Sequence, residues 1–449
     1  MLIEDQMSDD QQDAIDRLYQ HNETLLIAQM GSGKTVVALT AMKELLESDT
    51  IRRFLIVSPL AVANEVWRVE HKKWAHLKDL RVVIATGTPA ERIDAFKSDS
   101  QIVVINFENL AWVAKLGLLD SFGGLLVDES SKLKSGGSTF KALRKHIPNF
   151  VWRVAMSGTV ISEGTPDLFY QMFLVDAGKR LGRNKDKFLR TYLYPTDHQN
   201  RKWVPLPHMI APMMATIADV VYTVPDYRSE LPVLHVEHIA VPLPVGAVRH
   251  YRDMAGSMEA LGVVAETAAE QVQKLQQIAS GFLYDGDKVF DIHRGKMATV
   301  NMALGELEDR ASLVIVYQYM WERDEIEAIL AKRGLRYGVL GGGVSTTETS
   351  DVLKWWNAGE LDVLVIHPKS AGHGLNLEKG GHRMLWLAPP WSRDLWDQTI
   401  ARLWRRGQTE EVHVDVLVAT DTVDELIVKR LESKSSFMPA FLKHLESFK

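Results

Sequence analysis

The chain has 449 residues, which predicts two large domains or three smaller ones, and its 46% apolar and 24% charged content excludes a disordered or collagen-like protein. Cysteine is absent, which excludes disulfide scaffolds, cysteine-zinc fingers and thiol nucleophiles. The net charge of −6 argues against a general nucleic-acid binder, so any such partner needs local evidence. The acidic N-terminus has no signal-peptide pattern, and no apolar stretch is long enough to span a membrane, so we expect a cytoplasmic protein.

Short apolar, β-branched runs in the first part of the chain predict strands, and helical patterns lie between several of them. Strands that alternate with helices imply βαβ units and a buried parallel sheet. The predicted strands cover residues 24–28, 54–58, 81–86, 101–106, 124–129 and 150–157.

The first strand leads into residues 28–35, AQMGSGKT, which fit a phosphate-binding loop between a strand and a helix. Glycines let backbone N–H groups turn inward around phosphates, Lys34 reaches the β- and γ-phosphates, and the Thr35 hydroxyl ligates Mg²⁺. A chance glycine-rich turn is the alternative, which the strand–loop–helix context disfavours. The residues predicted to bind the nucleotide here are Met30, Gly31, Ser32, Gly33, Lys34 and Thr35.

The fifth strand ends in two carboxylates, Asp128 and Glu129. A phosphate-loop enzyme needs a strand-end acid for Mg²⁺ and a second carboxylate that activates water. Asp128 suits the first role, through an Mg²⁺-bound water, and Glu129 suits the second, as general base. An ordinary pair of helix-capping acids is the alternative, and the presence of Lys34 in the same lobe favours the catalytic interpretation.

The middle of the chain, residues 163–300, is rich in proline and then helical, and apolar residues from Leu261 to Leu275 predict one helix face. Within 179–202, eight basic side chains stand against two acidic ones, with aromatic residues nearby. Such a patch can neutralise phosphates while aromatic rings stack, and a solvated surface is the alternative. The basic residues are Lys179, Arg180, Arg183, Lys185, Lys187, Arg190, Arg201 and Lys202. His235 and His238, three apart in a strand-like segment, point to opposite faces, which indicates structural roles.

The last third repeats the alternation of strands and helices, and a capping box from Thr422 to Glu425 starts a closing helix. The predicted strands cover 312–319, 337–341, 361–368, 383–389 and 412–419. Residues 398–408, QTIARLWRRGQ, are predicted to be helical, so that Arg402 and Arg405 share a face and can bind charge on a transferring phosphoryl group. A solvated basic helix face is the alternative. His373 and His382 are not assigned as metal ligands.

The motifs, taken together in chain order, resemble those of superfamily-two helicases and translocases of the Swi/Snf-like branch, in particular the compact form that phages and prophages encode. The resemblance spans nearly the whole chain and implies an α/β fold. It predicts two RecA-like, doubly wound parallel-sheet lobes, 1–162 and 301–449, with an irregular and helical insertion over 163–300. The matching segments are DDQQDAI, AQMGSGKT, LIVSPLAVANEVWRVEHKKW, VINFENL, VDESSKLKS, AMSGT, VIVYQYM, HPKSAGHGLNL and QTIARLWRRGQ.

The resemblance also implies roles for residues of the first lobe. Gln11 would read adenine, with Gln12 as the alternative in register. The residues expected to couple hydrolysis to lobe movement are Ser157, Gly158 and Thr159. The residues that the resemblance places at the nucleic acid are Ser58, Pro59 and Asn106. The local charge of the basic patch adds Lys179, Arg180, Arg183 and Lys185 as expected contacts.

In the second lobe, the resemblance implies a loop between nucleotide and nucleic acid, in which Lys369 would contact the nucleic acid. The other residues of that loop are Gly372, Gly374 and Asn376, of which Gly374 and Asn376 would contact ATP. The residues that would complete the ATP site from across the cleft are Gln398, Arg402 and Arg405.

Two positions depart from the family pattern: Val160 stands where the coupling motif usually has proline, and Ser130 with Ser131 replaces an Ala-His pair. The sequence predicts an ATP hydrolase that uses Mg²⁺ and moves along nucleic acid, most consistent with double-stranded DNA. One alternative is an RNA-directed helicase. The other is a nucleotide-gated interaction protein that docks on a replication or transcription complex.

Overall fold

The computed structural model describes residues 2–158, 165–200, 202–307, 312–342, 344–371 and 375–432. Two compact units follow each other along the chain, and the boundary lies between Tyr227 and Arg228. No helix in the described part of the chain is long and apolar enough to cross a membrane.

The first unit contains a seven-stranded sheet in the order β3-β4-β2-β5-β6-β1-β9, in which all neighbours are parallel. A two-stranded antiparallel hairpin, β7–β8, lies outside it. The strands are β1 (Glu23–Ile27), β2 (Phe54–Ser58), β3 (Val82–Ile84), β4 (Ile102–Asn106), β5 (Gly124–Asp128), β6 (Trp152–Ser157), β7 (Leu193–Pro195), β8 (Trp203–Pro205) and β9 (Val221–Thr223).

The helices of this unit connect the parallel strands. They are α1 (Asp9–Gln20), α2 (Lys34–Glu47), α3 (Leu60–Val62), α4 (Arg68–Lys73), α5 (Pro89–Lys97), α6 (Phe107–Lys115), α7 (Ser138–Arg144), α8 (Asp167–Asp176), α9 (Lys185–Tyr192) and α10 (Ile210–Ile217). Successive residues of one strand enter different cores: Leu55 packs in one, and Phe54 and Ile56 pack in the other. Both faces of the sheet are therefore covered, which explains why its strands are continuous apolar runs.

The second unit contains a six-stranded parallel sheet in the order β10-β19-β18-β15-β17-β16, again with a core on each face. Two antiparallel pairs, β11–β12 and β13–β14, lie outside it. The strands are β10 (Leu234–Val241), β11 (Glu259–Ala260), β12 (Val263–Val264), β13 (Phe282–Asp285), β14 (Lys288–Asp291), β15 (Leu313–Val316), β16 (Tyr337–Leu340), β17 (Val363–Ile366), β18 (Arg383–Trp386) and β19 (Val412–Ala419). The helices are α11 (Val245–Ser257), α12 (Ala268–Ser280), α13 (Gly295–Gly305), α14 (Met320–Arg333), α15 (Thr346–Asn357), α16 (Pro368–Ala371), α17 (Arg393–Ile400) and α18 (Val423–Glu432).

The predicted fold class, two doubly wound parallel-sheet lobes, is confirmed. The segment 163–300, expected to be an insertion between the lobes, is divided between the units at Tyr227 instead. The reason is that β9 pairs with β1 of the first sheet, and β10 pairs with β19 of the second. Both strands, which lie in the proline-rich segment, thus pair with strands that are far away in sequence.

The prediction of one helical face from Leu261 to Leu275 is wrong in its first half. Leu261 and Gly262 form the turn of the β11–β12 hairpin, with φ of 54° and 78°. Two consecutive positive φ angles suit a tight two-residue hairpin turn and interrupt a helix. The helix α12 begins only at Ala268.

Candidate nucleotide site and nucleic-acid contacts

The predicted phosphate loop lies between β1 and α2, as the motif requires. Gly31 and Gly33 adopt φ angles of 79° and 82°, which side-chain-bearing residues rarely adopt. A Cβ atom on Gly33 would also lie 2.2 Å from Nε2 of Gln11. The loop therefore needs glycine at this position, and it ends at Lys34, where the N-terminus of α2 offers free N–H groups to an anion.

Gln11 contacts this loop directly. Its Nε2 donates to the Ser32 carbonyl oxygen over 2.9 Å, and its Oε1 accepts from the Ser8 N–H over 3.0 Å. Gln12, the alternative in register, is exposed. The geometry therefore favours Gln11 as the residue beside the nucleotide, while the reading of adenine stays a prediction.

A tyrosine that the sequence reasoning missed also holds the loop. Tyr227 is buried, and its hydroxyl donates to the carbonyl oxygen of Met30. The two residues are 197 positions apart, so no local pattern could have connected them. This contact holds the backbone of the phosphate loop at Met30.

Asp128 ends β5 and is buried. Its Oδ2 accepts hydrogen bonds from Trp67 Nε1 over 3.0 Å and from Ser58 Oγ over 3.2 Å. Burial raises the pKa of the Asp128 carboxyl, the Glu129 carboxylate adds to this rise, and Lys34 opposes it. Trp67 closes a π-helical turn, Ala63–Trp67, a geometry that often occurs at functional sites. The sequence reasoning gave Trp67 no role.

Glu129 leaves the strand with φ of 55°, a left-handed conformation that is uncommon outside glycine. The alternation of side chains along the strand therefore stops after Asp128. Oε1 of Glu129 lies 3.8 Å from Nζ of Lys34, and Nζ has no hydrogen-bond acceptor among the described residues. A partly buried ammonium of this kind can donate hydrogen bonds to phosphate oxygens. The oxygen donors of Asp128 and Thr35 fit Mg²⁺, which prefers oxygen ligands.

The predicted coupling motif begins beside the phosphate loop. Ser157 pairs in register with Ile27, and its carbonyl oxygen accepts from the Ala28 N–H over 3.2 Å. A Cβ atom on Gly158 would lie 3.5 Å from the Ala28 carbonyl oxygen. Movement of this motif would therefore reach the loop directly. Thr159 and Val160 lie outside the described residues.

A buried hydrogen bond links the acidic motif to helix α8. The Ser130 hydroxyl donates to Oε1 of Gln171 over 2.8 Å, and both side chains are fully buried. Gln171 lies on α8, which follows the coupling motif along the chain. Ser130, one of the two departures from the family pattern, thus has a defined structural role.

Three of the residues predicted to contact nucleic acid have little exposed side-chain surface. Ser58, Pro59 and Asn106 are all buried. The Ser58 hydroxyl is bonded to Asp128, and the Asn106 amide donates to Oε2 of Glu108 over 2.7 Å. Strand ends that are packed in this way have no side-chain surface for a phosphate, so the geometry supports positioning roles in their place.

The basic patch also offers less free positive charge than its sequence indicates, because two of its cations pair with acids outside the patch. The guanidinium of Arg180 is paired with Asp219 and Glu23, and the Lys179 ammonium is bonded to Glu23. The Asp219 hydrogen bonds raise the pKa of Arg180. Glu23 begins β1, at the end of the strand away from the phosphate loop. Lys179 and Arg180 therefore serve an ion-pair cluster, which argues against their predicted role as free phosphate ligands.

The remaining cations of the patch are divided by burial. Nζ of Lys185 lies 4.8 Å from the centroid of the Tyr170 ring, and burial lowers the pKa of this lysine. Arg183, by contrast, is exposed, as are Lys187 and Arg190 on α9. The buried face of α9 carries Phe188 and Leu189. Among these remaining cations in the described part of the patch, the exposed ones that a phosphate backbone can reach are Arg183, Lys187, Arg190 and Lys202, whereas Arg201 lies outside the described residues.

In the second unit, the prediction that Arg402 and Arg405 share a helix face is wrong, because α17 ends at Ile400. The chain continues in turns, in which the Arg402 and Leu403 N–H groups bond to residues three positions back. The turns still direct both arginines to one segment. Arg405 donates to Oδ1 of Asn376, and the Arg402 carbonyl oxygen accepts from the Leu377 N–H over 3.1 Å.

The other second-lobe residues lie as follows. Gln398 is half-buried on α17, and Lys369 is exposed on α16. Gly372, His373 and Gly374 lie outside the described residues. Asn376 and Arg405 are thus brought together as expected, whereas their proposed action on ATP stays a prediction.

Comparison with known proteins matches residues 9–284 to the SNF2-related domain and residues 295–407 to the helicase conserved C-terminal domain. A protein designated p41 from Acyrthosiphon pisum secondary endosymbiont phage 1 is 30% identical, over 93% of this chain and 94% of its own. The DNA repair and recombination protein RAD54-like of Drosophila willistoni is 23% identical, over 95% of this chain and 61% of its own. The chain thus spans less than two thirds of that relative.

Two further similarities are more distant. The nuclear protein STH1/NPS1 of Saccharomyces cerevisiae is 22% identical, over 92% of this chain and 33% of its own. Among solved structures, the Sulfolobus solfataricus SWI2/SNF2 ATPase core in complex with dsDNA is 20% identical, with a TM-score of 0.45, over 98% of this chain and 94% of that chain.

Proposed function

The chain belongs to the SNF2-related family, and from this premise we propose that it is an ATP-driven translocase that moves along double-stranded DNA. The observation that carries the proposal is the partly buried Lys34 ammonium, 3.8 Å from Glu129 and without a hydrogen-bond acceptor among the described residues. The family match over residues 9–284 supports ATP hydrolysis. The RAD54-like relative, whose name includes DNA repair and recombination, supports DNA as the partner.

The hydrolysis step follows from the first unit. Lys34 binds the β- and γ-phosphate oxygens, while the N-terminus of α2 and the loop N–H groups hold the remaining charge. Glu129 takes a proton from a water molecule while the water oxygen forms a bond to the γ-phosphorus. The bond between the γ-phosphorus and the β–γ bridging oxygen breaks, and ADP leaves. Thr35 and Asp128 would hold Mg²⁺, which neutralises phosphate charge when bound.

For the second unit, we propose that Gln398, Arg402 and Arg405 act on the nucleotide. Guanidinium groups can stabilise the charge that develops on the transferred phosphoryl group. The hydrogen bond from Arg405 to Asn376 supports this role, because together with the ion pair from Arg405 Nε to Oε2 of Glu378 at 3.8 Å it holds the guanidinium in one orientation. The nucleic-acid contact of Lys369 is proposed on the basis of its motif and its exposure.

The proposal is tested by the ATPase rate of the full chain with duplex DNA, single-stranded DNA and RNA at matched nucleotide concentration. We expect duplex DNA to raise kcat at least about tenfold, since lobe closure on the track would complete the site. Stimulation by RNA alone would identify an RNA-directed helicase instead. ATP binding without turnover under any condition would identify a nucleotide-gated interaction protein.

A further inference from the structure

Three side chains with metal-ligating atoms converge in the second unit, and none of them belongs to the nucleotide motifs. Among the described residues, His235, Glu411 and His413 form the one such group in which all candidate ligand atoms lie within 4.8 Å of one another. His235 is on β10, His413 is on β19, and Glu411 immediately precedes β19. The sequence reasoning missed this group because His235 lies 176 residues before Glu411.

The sheet explains why the two histidines meet. The strands β10 and β19 are parallel neighbours, and His235 lies directly opposite His413 in their register. Opposite residues of paired strands project from the same face, about 5 Å apart. Their imidazole rings stack, with centroids 4.7 Å apart and an interplanar angle of 12°. Nε2 of His235 also lies 3.0 Å from Oε2 of Glu411.

We propose that His235, His413 and Glu411 form a binding site for a divalent transition metal of the Zn²⁺ class. Two imidazole nitrogens and one carboxylate oxygen are a donor set that Zn²⁺ uses, whereas Mg²⁺ and Ca²⁺ prefer oxygen alone. The Glu411 side chain is 60% exposed and that of His235 is 39% exposed. Solvent therefore reaches the group and can supply a fourth ligand as water.

The geometry lets the group close around an ion without movement of the backbone. Zn²⁺ holds each ligand nitrogen at about 2 Å, so the ligand atoms need to approach one another by rotation of side chains. The backbone spacing is already that of adjacent strands. The next position on the same face carries Glu237 opposite Asp415, which adds negative charge, while Arg383 lies opposite His413 on the other side.

A metal at this position would connect the edge strand β10 to the body of its sheet. The strand has one fully buried residue, Val241, and it is the first strand after the unit boundary at Arg228. A ligand that binds the folded state alone stabilises it in proportion to the logarithm of its free concentration. Bound Zn²⁺ would therefore stabilise the pairing of β10, the first strand of the second unit, with β19.

The test is a calorimetric titration of ZnCl₂ into the chelator-treated full chain, with millimolar Mg²⁺ present to occupy the oxygen sites. We expect one Zn²⁺ per chain, and affinity reduced about tenfold or more in His235→Ala and in His413→Ala. His238→Ala is the matched control, because His238 is on the same strand and faces Glu432 at 3.7 Å instead. This control should bind like the parent.

A thermal unfolding series provides the second measurement. At one Zn²⁺ concentration, the unfolding midpoint should rise in the parent and in His238→Ala, and should rise less in the two ligand variants. Equal zinc binding in the parent and the ligand variants, or no binding at all, would overturn the proposal. Neither measurement depends on ATP or DNA, so failure here is distinguishable from failure of the proposed translocase function.

Discussion

Asp128 depends on two hydrogen-bond donors that come from outside its own motif. The indole of Trp67 and the hydroxyl of Ser58 both donate to Oδ2, and both side chains are fully buried. Partners of a metal-binding carboxylate orient it and tune its affinity for the metal. Trp67 is therefore a positioning residue that acts on the predicted magnesium site through Asp128.

Replacement of Trp67 by phenylalanine removes the donor and keeps an aromatic ring in the core. We expect kcat to fall about tenfold, equivalent to about 1.4 kcal/mol, because Asp128 loses one of its two side-chain donors. The concentration of Mg²⁺ at half-maximal rate should rise in parallel, which a purely structural defect would not cause. Steady-state ATPase assays over a Mg²⁺ series give both values.

Trp74→Phe is the matched control, because the indole of Trp74 donates to Oε1 of Glu70 over 3.1 Å in the same unit. Both variants lose an indole-to-carboxylate hydrogen bond, and both should lose some stability. A Mg²⁺ dependence that changes equally in the two variants, or in neither, would contradict the positioning role.

Glu129→Gln separates binding from hydrolysis. The amide keeps the size of the side chain but cannot accept a proton, so we expect kcat to fall at least about 100-fold. ATP affinity should stay near that of the parent, since Lys34 and the loop amides are intact. Rapid-quench hydrolysis and fluorescent-nucleotide titration measure the two quantities. A variant with parental turnover would remove Glu129 from the role of general base.

The sequence was sufficient to predict residues whose roles depend on short-range pattern. The phosphate loop with Lys34 follows β1, and the acidic pair lies at the end of β5; in the parallel sheet these two strands are separated by β6 alone. Trp67 and Tyr227 could not be predicted, because their partners are 61 and 197 residues away. The left-handed backbone of Glu129 could not be predicted either, since glutamate rarely adopts it.

At the scale of elements, the end of α17 was the least predictable feature of the site. Arginine and leucine favour helix, so residues 398–408 look helical throughout, although α17 ends at Ile400. Tertiary contacts override this preference. Trp404 Nε1 donates to the Pro232 carbonyl oxygen, and Gln408 Nε2 donates to the carbonyl oxygens of Glu378 and Gly381.

The exposed face of α9 is the element-scale candidate for a DNA contact. In the double variant Lys187→Ala/Arg190→Ala, we expect a higher DNA concentration for half-maximal ATPase stimulation. The slope of the logarithm of that concentration against the logarithm of the salt concentration should decrease by roughly two, because each lost phosphate contact lowers this slope by about 0.9. ATPase titrations with duplex DNA at several salt concentrations provide the measurement.

Lys179→Ala is the control for this experiment, since the Lys179 ammonium is already bonded to Glu23. We expect its DNA dependence and salt slope to match those of the parent. If this control weakens DNA binding as much as the double variant does, the cations of the patch act as one diffuse field, and α9 has no special role.

The N-terminus of α14 contains a buried carboxyl group. Oε2 of Glu322 accepts the N–H groups of Gln318 and Tyr319 over 2.7 and 3.1 Å. Burial raises the pKa of Glu322, and these hydrogen bonds and Lys296 oppose the rise. Lys296 is itself fully buried with Asp424, at 2.7 Å. The folded state therefore favours the protonated form of Glu322.

This shift makes stability depend on pH. The folded chain binds its proton more tightly than the unfolded chain, so this contribution is greatest below the ordinary pKa of glutamate and declines as pH rises toward the folded-state pKa. We expect the unfolding midpoint of Glu322→Gln to lie about 2–4 °C above that of the parent at pH 8, which corresponds to about 1 kcal/mol in the free energy of unfolding. The difference should be smaller at pH 5. Thermal unfolding at both pH values tests this.

Asp324→Asn is the control, because Asp324 is exposed on the same helix. Its midpoint difference from the parent should not change with pH in the same direction. A Glu322→Gln midpoint that falls below the parent as pH rises would show that the carboxylate form is the stabilising one.

At the scale of the whole molecule, the sequence gives the net charge and the length, but the distribution of charge and the extent of each lobe are seen only in the structure. The net charge of −6 hides a basic patch, yet part of that patch is neutralised by Glu23 and Asp219, acids outside the sequence window. The length was correctly assigned to two parallel-sheet lobes. The extent of each could not be predicted, because β9 and β10 join sheets whose other strands lie far away in sequence.

The central claim is that ATP hydrolysis moves the chain along duplex DNA. The most direct measurement is displacement of a labelled third strand from a triplex on duplex DNA, since a motor that tracks the duplex removes this strand without separating the duplex. We predict displacement that requires ATP and is lost in Glu129→Gln. Retained duplex-stimulated hydrolysis without displacement, or displacement that proceeds equally without ATP, would contradict the account.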